Sequence, residues 1–144
     1  KPTNHMVFGE AGAILAGDGL LTYAFELLSL PADSPSLPDA ERLRLINIIA
    51  RAAGSLGMVG GQALDIDAER KRVPFERLRT IHRCKTGALI TASVQAGAVI
   101  GRAGEEQFSA LTDYAANIGL AFQIVDDLLN VTATTEQLGK AAGS

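Results

Sequence analysis

Apolar residues recur at intervals of three and four along almost the whole chain, and nowhere do they alternate for long enough to make a strand. That single periodicity restricts the fold to packed helices, an all-α architecture. Helices are predicted at about residues 8–29, 39–54, 56–70, 75–83, 86–103 and 106–131. Between the first two, Pro31-Ala32-Asp33-Ser34-Pro35-Ser36-Leu37-Pro38 is a loop, because three prolines cannot continue a helix. Asp39 reads as an N-cap, with Arg42, Arg44 and Arg51 facing outward. Pro74 opens another helix, where its missing N–H costs nothing. Gly54, Gly57, Gly60, Gly61, Gly87, Gly97, Gly101 and Gly119 fall within or at the ends of these helices, and each interior glycine costs about 1 kcal/mol against alanine. Close helix packing, or backbone room for a ligand, must offset that cost.

At 144 residues the chain has the length of one domain and can bury a core. Acidic residues number 16 against 13 basic, so the chain carries no electrostatic footprint for nucleic acid. A single cysteine, Cys84, excludes an internal disulfide framework and a thiolate metal cluster; a cytoplasmic location fits, and Cys84 is expected to be a buried, inert thiol. Two apolar stretches, residues 11–30 and 86–101, are read as buried helices rather than membrane spans: the first carries Asp18 and Glu26, and the second is short and rich in Gly and Ser. No secretory signal is apparent. Glu10 and Asp18 on the first helix are expected to form internal hydrogen bonds. Residues 132–144 are small and polar, a tail or lid.

The chemistry concentrates in Phe122-Gln123-Ile124-Val125-Asp126-Asp127-Leu128-Leu129-Asn130. Leu111, Ala115, Ile118, Phe122, Val125 and Leu129 form a stripe expected to face the core, and Gln123, Asp126, Asp127 and Asn130 fall together beside it. Asp126 and Asn130 are one turn apart, as are Gln123 and Asp127, so their side chains can converge on one ligand. Oxygen donors of this kind suit Mg²⁺ completed by substrate phosphates; the plainer alternative is a solvated acidic turn. On an earlier helix Gln62 and Asp65 share a face, where Asp65 is either a further metal ligand, a group ordering metal-bound water, or simply solvated. Lys85-Thr86-Gly87 is read as a helix N-terminus, where a cation, a hydroxyl and unpaired N–H groups would meet phosphate, or else as a solvated flank and a cap. Lys140 in Leu138-Gly139-Lys140 reads as a solvated tail cation. His5 and His82 lack partners at zinc-ligand spacing and are expected to fill ordinary polar roles.

Taken in order, Lys1-Pro2-Thr3-Asn4-His5, Ala16-Gly17-Asp18-Gly19-Leu20-Leu21, Gly57-Met58-Val59-Gly60-Gly61-Gln62, Lys85-Thr86-Gly87, Phe122-Gln123-Ile124-Val125-Asp126-Asp127 and Leu138-Gly139-Lys140 resemble the trans-prenyltransferases of the polyprenyl synthetase family, bacterial farnesyl and geranyl diphosphate synthases above all. The resemblance covers the whole chain and about half of such an enzyme. It implies an isoprenoid synthase-type helical bundle, incomplete here, and a condensation in which an allylic diphosphate ionises and isopentenyl diphosphate attacks the cation. It further implies several Mg²⁺ ions, a homodimeric parent protein and isoprenyl diphosphate substrates. By resemblance, Asp126 and Asp127 form the second acidic motif, ending in Asn130 where many members have Asp. Asp65 assists the metal, Gln62 supports it, and Lys85, Gln123 and Lys140 grip the allylic diphosphate. Lys85, Thr86 and Gln123 are the catalytic set, with Thr86 offering an oxygen dipole to the cation. The family's first aspartate-rich motif would stand just before Lys1, so these residues alone are expected not to turn over. The alternatives are a non-catalytic helical partner subunit of a prenyltransferase and a terpene cyclase.

Overall fold

The computed structural model describes residues 2–30 and 37–132, apart from the side chains of Asn130 and Val131. Among the described residues it is all helix: α1 (Asn4–Ser29), α2 (Asp39–Ala53), α3 (Met58–Ala68), α4 (Phe75–His82), a π turn (Arg83–Gly87), α5 (Ala88–Ile100) and α6 (Glu105–Thr132). The predicted helices are all present, with ends shifted by a few residues. The chain forms two compact units that divide within α2, Lys1–Ile46 and Asn47–Ser144.

In the first unit, α1 is interrupted at Gly9, whose φ of 79° is open to glycine but strained for any other residue. The helix closes where Leu30 N–H and the Ser29 hydroxyl both donate to the Glu26 carbonyl. Arg42 was expected to face outward; instead it is half-buried, its guanidinium donating to the Leu30 carbonyl. Asp39 is already helical, and the Pro38 carbonyl accepts from Arg42 N–H, so the aspartate lies in the first turn rather than capping it. No residue of α1 is buried. Glu10 and Asp18 are exposed, contrary to the internal hydrogen bonds expected of them. By length and hydropathy alone, α1 and the run Asp39–Ala68 could each cross a membrane, a test that the core helix of a soluble protein also passes.

The second unit has a core of small side chains: Ala52, Ala53, Ala92, Ala98, Val99 and Ala115 are at most 8 % exposed, with Ile81 at 1 % the largest. Small residues let helix axes approach closely. A methyl group on Gly61 of α3 would stand 2.2 Å from the backbone nitrogen of Lys85, and one on Gly119 of α6 would meet the Gly87 Cα at 3.0 Å. The π turn is therefore gripped backbone to backbone from both sides, and at these two glycines packing is what offsets the helix cost. α5 reverses into α6 through residues 101–104. There Ala103 N–H bonds the Ala98 carbonyl and Arg102 N–H the Val99 carbonyl, with Arg102 at φ 55°. Gln107 reaches back to the Gly104 N–H at 3.1 Å and caps α6.

The stripe expected to lie inward on α6 does not. Ala115 is 1 % exposed, but Ile118, Phe122 and Val125 are 45 %, 59 % and 53 % exposed. The inward face is Thr112, Ala115, Gly119 and Gln123, with Asp126 and Asp127 half-buried at its edge. The helix is turned by about one residue from its most apolar orientation, because a backbone-close contact at Gly119 admits only small neighbours.

Candidate active site

Lys85-Thr86-Gly87 is not a helix N-terminus. α4, the π turn and α5 run on without a break, with His82 (φ −58°, ψ −45°), Gly87 (φ −62°, ψ −34°) and Ala88 (φ −61°, ψ −47°) all in right-handed helical backbone. No proline or positive-φ glycine separates the segments, so there is no local signal to stop the helix. The N–H groups at this point belong to a helix interior, and any attraction for phosphate must come from side chains. The discontinuity is a widened i→i+5 turn, a feature frequent at functional sites.

The widened turn directs neighbouring side chains to two different helices. Lys85 points to α3, where its ammonium meets Asp65 Oδ2 at 2.5 Å, both side chains being more than a third exposed. Thr86 points to α6 and donates from Oγ1 to Gln123 Oε1 at 2.8 Å. Gln123 Nε2 in turn donates to Asp127 Oδ1 at 3.3 Å. The other oxygen of Asp127 lies 3.4 Å from Nε2 of His82, whose side chain is only 11 % exposed. Thr86 facing Gln123 and His82 facing Asp127 are thus two rungs between antiparallel helices, spaced by four residues on each strand of the ladder. The one-turn spacing expected to let Gln123 and Asp127 converge on a ligand also lets them bond each other.

Asp126 is half-buried beside Asp127, and Gln62 is half-buried on α3 one turn before Asp65, outside the bonds just described. Asn130 follows on α6 one turn beyond Asp126; Lys140 lies outside the described residues. Cys84, expected to be buried, is half-buried and free. His82 escaped sequence reasoning as a member of this cluster. A lone histidine carries no spacing signal, and its partner lies 45 positions away. The only hint is that it stands one helical turn before Thr86.

Electrically the cluster is a lysine paired with one carboxylate, set near two further carboxylates. Among the described residues no three His, Cys, Asp or Glu side chains assemble into a metal cage. Asp126 and Asp127 nonetheless supply the hard oxygen donors that Mg²⁺ takes, one or two carboxylates with the remaining positions filled by water and phosphate. The cluster is an open shoulder rather than a cavity. Two grooves of the second unit, about 670 and 590 Å³, are lined by other residues. In charge alone, Lys85 suits an anion and the acidic pair a cation.

The family model for polyprenyl synthetase matches residues 1–144. The chain is 54 % identical over all 144 residues to farnesyl diphosphate synthase of Geobacillus stearothermophilus, covering 48 % of that protein. It is 53 % identical over 99 % of its length to farnesyl diphosphate synthase of Escherichia coli, again covering 48 % of the relative. Among solved structures it is similar to an FPP/GFPP synthase of Zymomonas mobilis in the apo state, with TM-score 0.82 and 43 % identity over 99 % of this chain and 49 % of that one. It is also similar to a geranyltransferase of Helicobacter pylori complexed with magnesium and isoprenyl diphosphate, with TM-score 0.83 and 37 % identity over 99 % of this chain and 46 % of that one. The chain spans about half the length of the curated relatives it matches.

Proposed function

The chain belongs to the polyprenyl synthetase family, and from that premise we propose that the parent protein is a trans-prenyltransferase that condenses isopentenyl diphosphate with dimethylallyl or geranyl diphosphate. Farnesyl diphosphate or a similar isoprenyl diphosphate is the product. The reading includes a magnesium requirement, a homodimer, a cytoplasmic location and no membrane span. The observation that supports it is the divergence of Lys85 and Thr86 at the π turn, Lys85 meeting Asp65 of α3 while Thr86 bonds Gln123, which in turn bonds Asp127 of the acidic pair on α6.

In this reading the Lys85 ammonium exchanges part of its contact with Asp65 for diphosphate oxygens, and Lys140 adds a second cation. Thr86 spends its only proton on Gln123, which leaves its lone pairs for the electron-poor allylic carbon. The amide dipole of Gln123 is held in place by Thr86 at one end and Asp127 at the other, so it needs no reorganisation when charge develops. Asp126 and Asp127, with Asn130 and assistance from Asp65 and Gln62, would hold magnesium together with the diphosphate. The chemistry magnesium would supply there is Lewis-acid withdrawal of charge from a diphosphate.

The test is a calorimetric titration of an unreactive thio-analogue of geranyl diphosphate into the protein, with Mg²⁺ and again after EDTA. Binding should need the metal, and Lys85→Ala should weaken it by about 10- to 100-fold, the cost of one charge-assisted hydrogen bond. Binding indifferent to both EDTA and Lys85→Ala would overturn the assignment.

A further inference from the structure

We infer that His82 is a positioning residue for the acidic pair, holding the Asp127 carboxylate at a fixed angle to the ligand it takes. The inference rests on the proposed reading of Asp127 as a metal ligand. A free aspartate rotates broadly about its last torsion, with no strong preference for one carboxylate plane. Here the plane is set from outside. Gln123, one turn back on α6, approaches one oxygen at 3.3 Å, and His82 of α4 the other at 3.4 Å. Two contacts on two different oxygens determine a plane, whereas one leaves the group free to swing about it.

The two contacts differ in rigidity. Gln123 is a neighbour on the same helix and moves with Asp127. His82 belongs to a different helix, α4, with a side chain 11 % exposed next to Ile81, the most buried large residue of the unit. With its ring proton on Nε2, the imidazole presents an N–H edge 3.4 Å from Asp127 and supplies a polar contact that does not move with α6. A carboxylate has about four acceptor positions. With one on each oxygen engaged by Gln123 and His82 and the group 47 % exposed, about two positions are left for a cation. Outer partners of this kind orient ligating groups in metal sites generally. His82 touches neither metal nor diphosphate in this arrangement; it acts through Asp127.

The experiment uses the intact protein, with Mn²⁺ as a spectroscopic stand-in for magnesium and inorganic pyrophosphate as the anion. Bound Mn²⁺ is counted by electron paramagnetic resonance for wild type, His82→Leu, His82→Gln and Asp127→Asn. His82→Leu keeps the bulk but loses the donor, and should weaken pyrophosphate-dependent Mn²⁺ binding about tenfold with its unfolding midpoint little changed. His82→Gln restores an N–H donor and should recover most of the affinity. The double variant His82→Leu with Asp127→Asn should bind no worse than Asp127→Asn alone. If Asp127→Asn weakens Mn²⁺ binding while His82→Leu does not, positioning by His82 is overturned and the metal reading stands. The same holds if His82→Gln binds no better than His82→Leu. If Asp127→Asn leaves Mn²⁺ binding unchanged, the metal reading of Asp127 falls, and this inference with it.

Discussion

Gly61 is the residue on which the candidate site turns. A Cβ there would lie 2.2 Å from the nitrogen and 2.6 Å from the Cα of Lys85, and both obstacles are backbone that cannot rotate away. Gly61→Ala must therefore push α3 off the π turn, carrying Asp65 away from Lys85. Overpacking of this sort costs about 1–3 kcal/mol, and a rigid obstacle puts it at the upper end. Gly97, also in a helix, has nothing within 4 Å of the same position, so Gly97→Ala should gain stability by about 1 kcal/mol. Urea unfolding of the two variants should move in opposite directions; equal midpoints would show that the contact at Gly61 is not tight. Both glycines read alike in the sequence, because what separates them is a neighbour 24 positions away in one case and none in the other.

Among elements, the join between α3 and α4 offers a separate test. Asp67 bonds Lys71, one turn on, and Arg77 of α4, tying the two helices across their connection. The hydrogen bond from Lys71 and then that from Arg77 hold its carboxyl below its ordinary value of 3.8. A depressed acid binds protons less readily in the folded state than in the unfolded one, so its contribution to stability is present above the ordinary value and is lost as pH falls through the lowered one. The stability difference between wild type and Asp67→Asn should then be flat above about pH 5 and shrink on acidification. A difference that grows toward acid would contradict the pairing. Element positions were legible from helical spacing, but the rotation of α6 was not. Hydrophobicity ranks Phe122 and Val125 as the inward residues, whereas the close approach at Gly119 selects Ala115 and Gln123. The same limit explains the false N-terminus at Lys85: a π turn interrupts periodicity much as a helix break does, and only hydrogen bonding tells them apart.

For the whole molecule, the weight of apolar surface decides behaviour. No residue of α1 is buried, and Ile118, Phe122, Val125 and Leu129 of α6 stand 45–59 % exposed. Monomers rarely present contiguous apolar patches beyond about 300–600 Å². These 144 residues expressed alone should accordingly self-associate as concentration rises, and Phe122→Gln with Leu129→Gln should reduce that association in light scattering. A monodisperse monomer at every concentration would count against it. By itself the sequence determined the helical class, the number and approximate ends of the helices, the family and the residues that carry its motifs, because all of these are written in local spacing and residue type. Only the tertiary structure decided which face of α6 turns inward, that Lys85 and Thr86 serve different helices, and that His82 joins Asp127. Those outcomes depend on how closely two backbones can approach, and that distance is set by pairs of glycines and small side chains far apart in the chain.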